Sequence, residues 1–311
     1  MSDVTLRERY VRRFMGLERY SRVLAWSVVF SYVLQVVLAV VAGHYLLTFA
    51  FSIWQVLAAI AIAVFIGTRL RGLNNIVHEC SHSSFADIRS DNVTIGRFCS
   101  AILTGCFKTY RDDHLSHHAH LGDYDHDREM EPIEKFGLHE PLSLRVILRL
   151  FFIPLTGRHL SVYSAKNLSG DDGKLFFAFK IAILIFFAVF SLIYPMTSVI
   201  FVLIPFFFIF PTLNFWTDCL DHAGLIGETD ELRASRNILA STLPRLLFFP
   251  RNDCYHLVHH LFPQIPARHL ADAHKELCED QEYRQEPLAS KPLMPKLIPS
   301  LSASQRSRST A

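Results

Sequence analysis

Three short histidine motifs hold most of the chemistry open to this chain. His78-Glu79-Cys80-Ser81-His82 is an HxxxH pair, and His114-Leu115-Ser116-His117-His118 and His256-Leu257-Val258-His259-His260 are two copies of HxxHH. On a helix, positions i, i+3 and i+4 share one face with Cβ atoms about 5–6 Å apart. HxxxH therefore turns two imidazoles to one side and HxxHH turns three. Such neighbours can chelate one metal and still offer a ligand to a second. With 16 histidines in 311 residues, composition alone would yield about 0.04 copies of HxxHH.

These imidazoles exceed the four ligands of a structural zinc, so a single zinc does not account for them. Two metals sharing the ligands would. Iron is favoured because histidine-rich sites with open positions suit oxygen activation, although two zincs would meet the same ligand types.

The elements that must position these residues are strongly apolar. Half of the chain is hydrophobic, and its net charge of +2 gives no sign of a nucleic-acid partner. Four stretches reach the roughly 20 apolar residues that cross a bilayer, at residues 23–43, 46–67, 175–194 and 199–216. Lys180 lies near the start of the third, within reach of the headgroups, and Pro205 and Pro211 are expected to kink the fourth. The turns near His44 and Tyr194 lack Lys and Arg, whereas the N-terminal segment carries six arginines from Arg7 to Arg22. The positive-inside bias then puts both termini and all three boxes on the cytoplasmic side. The expected architecture is an all-α integral membrane protein: four transmembrane helices in two hairpins, with a cytoplasmic helical cap holding the metal site. Residues 1–284 read as one domain, and the Ser-, Pro- and basic-rich residues 285–311 as a disordered tail. Segments 92–107 and 142–152 are apolar enough to lie on the membrane surface. Six cysteines without CxxC spacing read as reduced thiols.

Together HECSH, HLSHH and HLVHHLFP, spaced by two apolar hairpins, resemble the membrane fatty-acid desaturase family over residues 20–280. Arg251-Asn-Asp-Cys-Tyr-His256 and Leu261-Phe-Pro-Gln-Ile-Pro266 match the surroundings of the family's third box. The three-residue spacing of the first box is similar to acyl-lipid and bacterial members rather than the acyl-CoA type. The compact loops resemble the bacterial branch that includes dihydrorhizobitoxine desaturase. The resemblance implies two iron ions held by His78, His82, His114, His117, His118, His256, His259 and His260, with O2 as oxidant and a lipid or fatty acyl substrate. A bacterial inner-membrane location fits the same branch. The resemblance also implies a ninth ligand, His222, at the membrane boundary. Asp218, one turn earlier, replaces the asparagine of acyl-CoA desaturases and would ligate or orient a histidine. An acidic residue after the second box, Asp125 or Asp127, would orient box histidines.

The sequence shows neither the HPGG of a cytochrome b5 domain nor ferredoxin or rubredoxin cysteine clusters, so electrons are expected from a separate carrier of one of those types. Desaturation leads the readings. The boxes do not separate it from hydroxylation, or from decarboxylation to a terminal alkene. A haem or metal-transporting membrane protein would want histidines or polar groups deep within the spans, which are nearly free of them.

Overall fold

A computed structural model describes residues 5–164 and 166–290, and the described residues contain helices but no strand. Helix α1 (Leu6–Met15) starts at a reciprocal cap between Thr5 and Glu8. Two long helices follow, α2 (Arg22–Leu46) and α3 (Ile53–Ser81), then α4 (Arg89–Ile102) and α5 (Phe107–Ala119). After α6 (Leu144–Phe152) and the single turn α7 (Leu160–Tyr163) come α8 (Lys174–Ile193) and α9 (Pro195–His222). The C-terminal part comprises α10 (Thr242–Phe248), α11 (His256–Leu261), α12 (Leu270–Leu277), α13 (Gln281–Gln285) and α14 (Pro287–Ser290).

Helices α2, α3, α8 and α9 are long and apolar enough to cross a membrane. Large apolar side chains such as Leu38, Ile60, Ile185 and Leu192 point outward from them, which water would not tolerate over so wide an area. The turn between α2 and α3 lies at residues 47–52, later than hydropathy places it. The run Leu46–Phe51 is too apolar to mark a break; the Ser52 cap and the Gln55 amide, bonded to the Leu46 and Phe49 carbonyls, close the turn. At the two prolines α9 stays continuous. It widens into π-helical turns at Val199–Leu203 and Pro205–Ile209, which absorb the missing donor of Pro205. Lys180 does not reach outward: it is fully buried and donates to the Asn167 and Ser169 carbonyls, each at 2.9 Å.

The second apolar run does not end its helix. α3 continues from outward-facing apolar residues into a stretch whose polar side chains are buried, among them Arg71, Asn75 and Glu79, so the first box rides on the same rigid rod. Segment 92–107 packs against α3 and α8, with Asn92 wholly buried and bonded to the backbone of Phe85, Ala86 and Ile88. By contrast α6 leaves Leu144, Leu148, Phe151 and Phe152 exposed on one side, as an interfacial helix would.

Local sequence alone does not cap the helices that carry the second and third boxes. The Asp172 carboxylate accepts from the Phe107 and Lys108 amides at the start of α5, at 2.7 and 3.1 Å. The Asn237 carbonyl accepts from the Leu257 and Val258 amides at the start of α11, and its amino group donates to Tyr283 and to the Ala289 carbonyl. Ala289 is buried, so packed structure runs at least to Ser290, past the boundary that composition suggests for the tail; residues 291–311 lie outside the described residues.

A buried ion pair joins the first box to the loop before the third. Glu79 is bonded by the Arg251 guanidinium and accepts from the Ala267 amide at 3.1 Å, and Arg71 pairs with Asp253. Arg251 adopts a left-handed backbone, φ 65°, to make this contact. Glu79→Ala would leave the guanidinium buried without its partner and is expected to cost about 3–5 kcal/mol of stability. Asp123→Ala, which breaks the exposed pair with His126, should shift stability far less, because water screens that pair. Thermal unfolding in detergent compares the two.

Candidate metal centre

The helical spacing of the boxes divides their imidazoles between two groups. His78 and His82 from α3, His114 and His118 from α5, and His259 from α11 form the first; His117, His222, His256 and His260 form the second. Within each group, one ligand atom per residue lies within 4.8 Å of all the others. In both HxxHH motifs the i and i+4 histidines stay together and the i+3 histidine crosses to the other group. The groups are adjacent, with the His118 and His260 rings 4.4 Å apart.

Inside the groups Nε2 atoms face one another. His82–His114 and His118–His259 stand at 2.9 and 3.0 Å, and His256 lies 2.9 Å from both His222 and His260. The opposite ring nitrogens point to outside acceptors: His114 Nδ1 to Glu129 at 2.7 Å, His117 Nδ1 to Asp127 at 2.7 Å and His222 Nδ1 to the Ala234 carbonyl at 3.4 Å. A carbonyl only accepts, so the proton of His222 sits on Nδ1 and its Nε2 presents a bare lone pair to the cluster. Converging lone pairs repel unless a cation sits between them, and imidazoles so arranged fit a transition metal. Burial holds His82, His114, His118, His256, His259 and His260 below the ordinary imidazole range, so they are neutral bases. His117 departs from this: burial is the largest influence and opposes its charge, but the Asp127 hydrogen bond and the surrounding carboxylates Glu129, Asp127 and Asp218 together outweigh it and raise its pKa.

All nine histidines expected at the site are therefore brought together, while the acidic expectations divide. Asp125 is exposed, and its amide bonds to Asp123; it makes no contact with a box histidine. Asp127 is fully buried and takes the orienting place. One oxygen meets His117 and the other accepts from the Glu129 and Met130 amides. Asp218 belongs to neither histidine group; its carboxylate accepts from the Tyr163 hydroxyl at 2.6 Å. Sequence reasoning missed Glu129 behind His114 and Asp221, whose carboxylate lies 3.6 Å from His256 Nδ1. The only signal was the density of acids from Asp123 to Glu129, which says nothing about which of them turn inward. Other histidines are engaged elsewhere: His44 with Thr197, His159 with Thr212 and His274 with Tyr283.

A cavity of about 340 Å³ opens beside both groups, reaching His78, His114, His117, His222 and His256. Its wall near the histidines is polar, with Arg71, Asn74, Asn75 and Asn214 among the lining residues.

The sequence profile of the family described as Fatty acid desaturase matches residues 54–290. Dihydrorhizobitoxine desaturase of Bradyrhizobium elkanii is 26% identical over 265 residues, covering 79% of this chain and 74% of the relative. The endoplasmic-reticulum acyl-lipid omega-3 desaturase (cytochrome b5) of Arabidopsis thaliana is 27% identical over 276 residues, covering 76% of this chain and 68% of the relative. The sn-1 acyl-lipid omega-3 desaturase (ferredoxin) of a Synechocystis species is 28% identical over 89 residues, covering 29% of this chain and 24% of the relative.

The buried neutral imidazoles carry a pH signature. With metal removed, the unfolded chain takes up protons below about pH 6.5 while the folded site resists them. Stability should therefore fall as pH drops below about 6.5, by up to about 1.4 kcal/mol per pH unit for each such imidazole. Unfolding temperatures of the metal-stripped protein between pH 8 and 5 check this, and a flat profile would contradict the burial argument.

Proposed function

The chain belongs to the fatty acid desaturase family, and from that premise we propose that it is a membrane desaturase in which two iron ions, one per histidine group, act with O2 to introduce a C=C bond into an acyl chain. The observation that carries this reading is the sorting of nine imidazoles into two adjacent groups of metal-binding size. His78, His82, His114, His118 and His259 would hold one ion, and His117, His222, His256 and His260 the other. Iron bound there would supply the activation of oxygen and the removal of hydrogen from an unactivated methylene. Loss of one hydrogen from each of two adjacent carbons leaves the alkene. Two electrons and two protons delivered from outside complete the conversion of O2 to two waters.

The protein's own part is to hold and orient. Glu129 and Asp127 accept from the far nitrogens of His114 and His117, which keeps the metal-facing nitrogens unprotonated and the rings fixed. Asp218, held by Tyr163, lines the cavity one helical turn before His222 and is placed to order groups beside the centre rather than to ligate. The described residues between 5 and 290 form one domain in this reading, with α2–α3 and α8–α9 as two membrane hairpins. The box helices cap them on the cytoplasmic side, consistent with the arginine-rich N-terminal segment. A bacterial inner membrane would be the setting. The relatives named for cytochrome b5 and for ferredoxin support a separate small electron carrier.

Metal analysis and product identification after expression with a reductase system test the proposal. Wild type should carry about two irons per chain and yield an internal alkene. An alcohol or a chain-shortened terminal alkene would reassign the reaction. His117→Ala should lose iron and activity, and retention of both would remove the site assignment. Asp127→Asn should weaken iron retention about 10–100-fold, whereas Asp125→Asn should leave it unchanged.

A further inference from the structure

The cavity beside the histidines is asymmetric in charge. Along α9 it follows one stripe, Phe210, Asn214, Thr217, Asp218 and His222, so it extends about 18 Å from its Phe210 end to the metal groups at 1.5 Å per residue. Carboxylates such as Glu129, Asp218 and Asp221 gather toward the histidines. Lys166 lines the other end, its ammonium 4.2 Å from the centre of the Phe206 ring and 5.4 Å from that of Phe207. The segment that carries it is tied along α9 by Tyr163 to Asp218 and by Ser164 to the Phe207 carbonyl at 2.8 Å. Of the other two cations of this cavity, Arg71 is paired with Asp253 and Arg128 is exposed to water, whereas Lys166 is half-buried and has no ion pair among the described residues. Half-buried on two aromatic rings, it is desolvated without a counter-charge, and burial pushes its pKa down to about 8. A protein that leaves such a cation unmatched in a ligand cavity reserves the place for an anion that the ligand brings.

We propose that Lys166 anchors an anionic group of the substrate, a carboxylate or a phosphate, at the end of the cavity away from the histidines, so that the site of oxidation is counted from that anion. This rests on the desaturase reading above and adds the substrate's polar end to it.

The test uses the full-length protein with a reductase system and three forms of one acyl chain: the free fatty acid, its methyl ester and a phospholipid. The preferred anionic form tells carboxylate from phosphate. Lys166→Gln should raise KM for that form about 10–100-fold, the worth of one charge-assisted hydrogen bond. KM for the methyl ester should not move, and the double bond should spread to neighbouring positions. Lys166→Arg should restore the single position. In wild type, an alkyl sulfonate of matched length should inhibit more strongly than the corresponding alkanol, a comparison that needs no variant to fold. Equal KM changes for charged and neutral forms, an unmoved double bond in Lys166→Gln, or equal inhibition by sulfonate and alkanol would each overturn the anchor and leave the desaturase reading standing. Wild type inactive on all three forms would overturn both.

Discussion

The structure depends on keeping neutral imidazoles with their lone pairs turned toward one another in a buried place. Left to itself, such an arrangement is unfavourable: dipoles oppose, and water that would screen them is excluded. It persists because each ring is held from behind. Asp127 and Glu129 bind the outer nitrogens of two rings, the Ala234 carbonyl binds a third, and packed helices fix the rest. The same burial that makes the groups costly without a cation keeps them deprotonated and ready for one.

Holding four helices in register around that centre requires connections that ignore sequence distance. Glu79 sits inside the first box yet is matched by Arg251, just before the third, and by the Ala267 backbone beyond it. Asp172 caps the helix of the second box across 65 residues, and Asn237 joins the start of the third-box helix to the C-terminal turn at Ala289. These contacts are buried and polar, so each is stringent: an unmatched partner costs far more than a surface pair. The centre therefore sits on a rigid frame and not on loops.

The outward-facing apolar parts and the histidine-bearing parts meet on continuous helices. α3 begins among outward-facing apolar side chains and ends as the carrier of His78, and α9 begins with π-helical turns and ends at His222. The cavity is more polar than an acyl tunnel alone would need. Lys166 lines one end of it and the histidines the other.

The sequence by itself determined the number of membrane-length helices and the eight box imidazoles, because hydropathy runs and i, i+3, i+4 spacing are local properties that survive any packing, while His222 was pointed to only by the family resemblance. It also showed that each HxxHH could serve two ions, though not which histidine would cross over. Only the tertiary structure decided that Asp127 turns inward while Asp125 faces out, that Glu129 and Asp221 stand behind His114 and His256, and that Asp218 bonds Tyr163. It alone revealed the remote caps and the late turn at residues 47–52. The reason is physical: in a loop dense with acids the inward direction depends on what lies opposite, and a cap supplied from 65 residues away has no local signature.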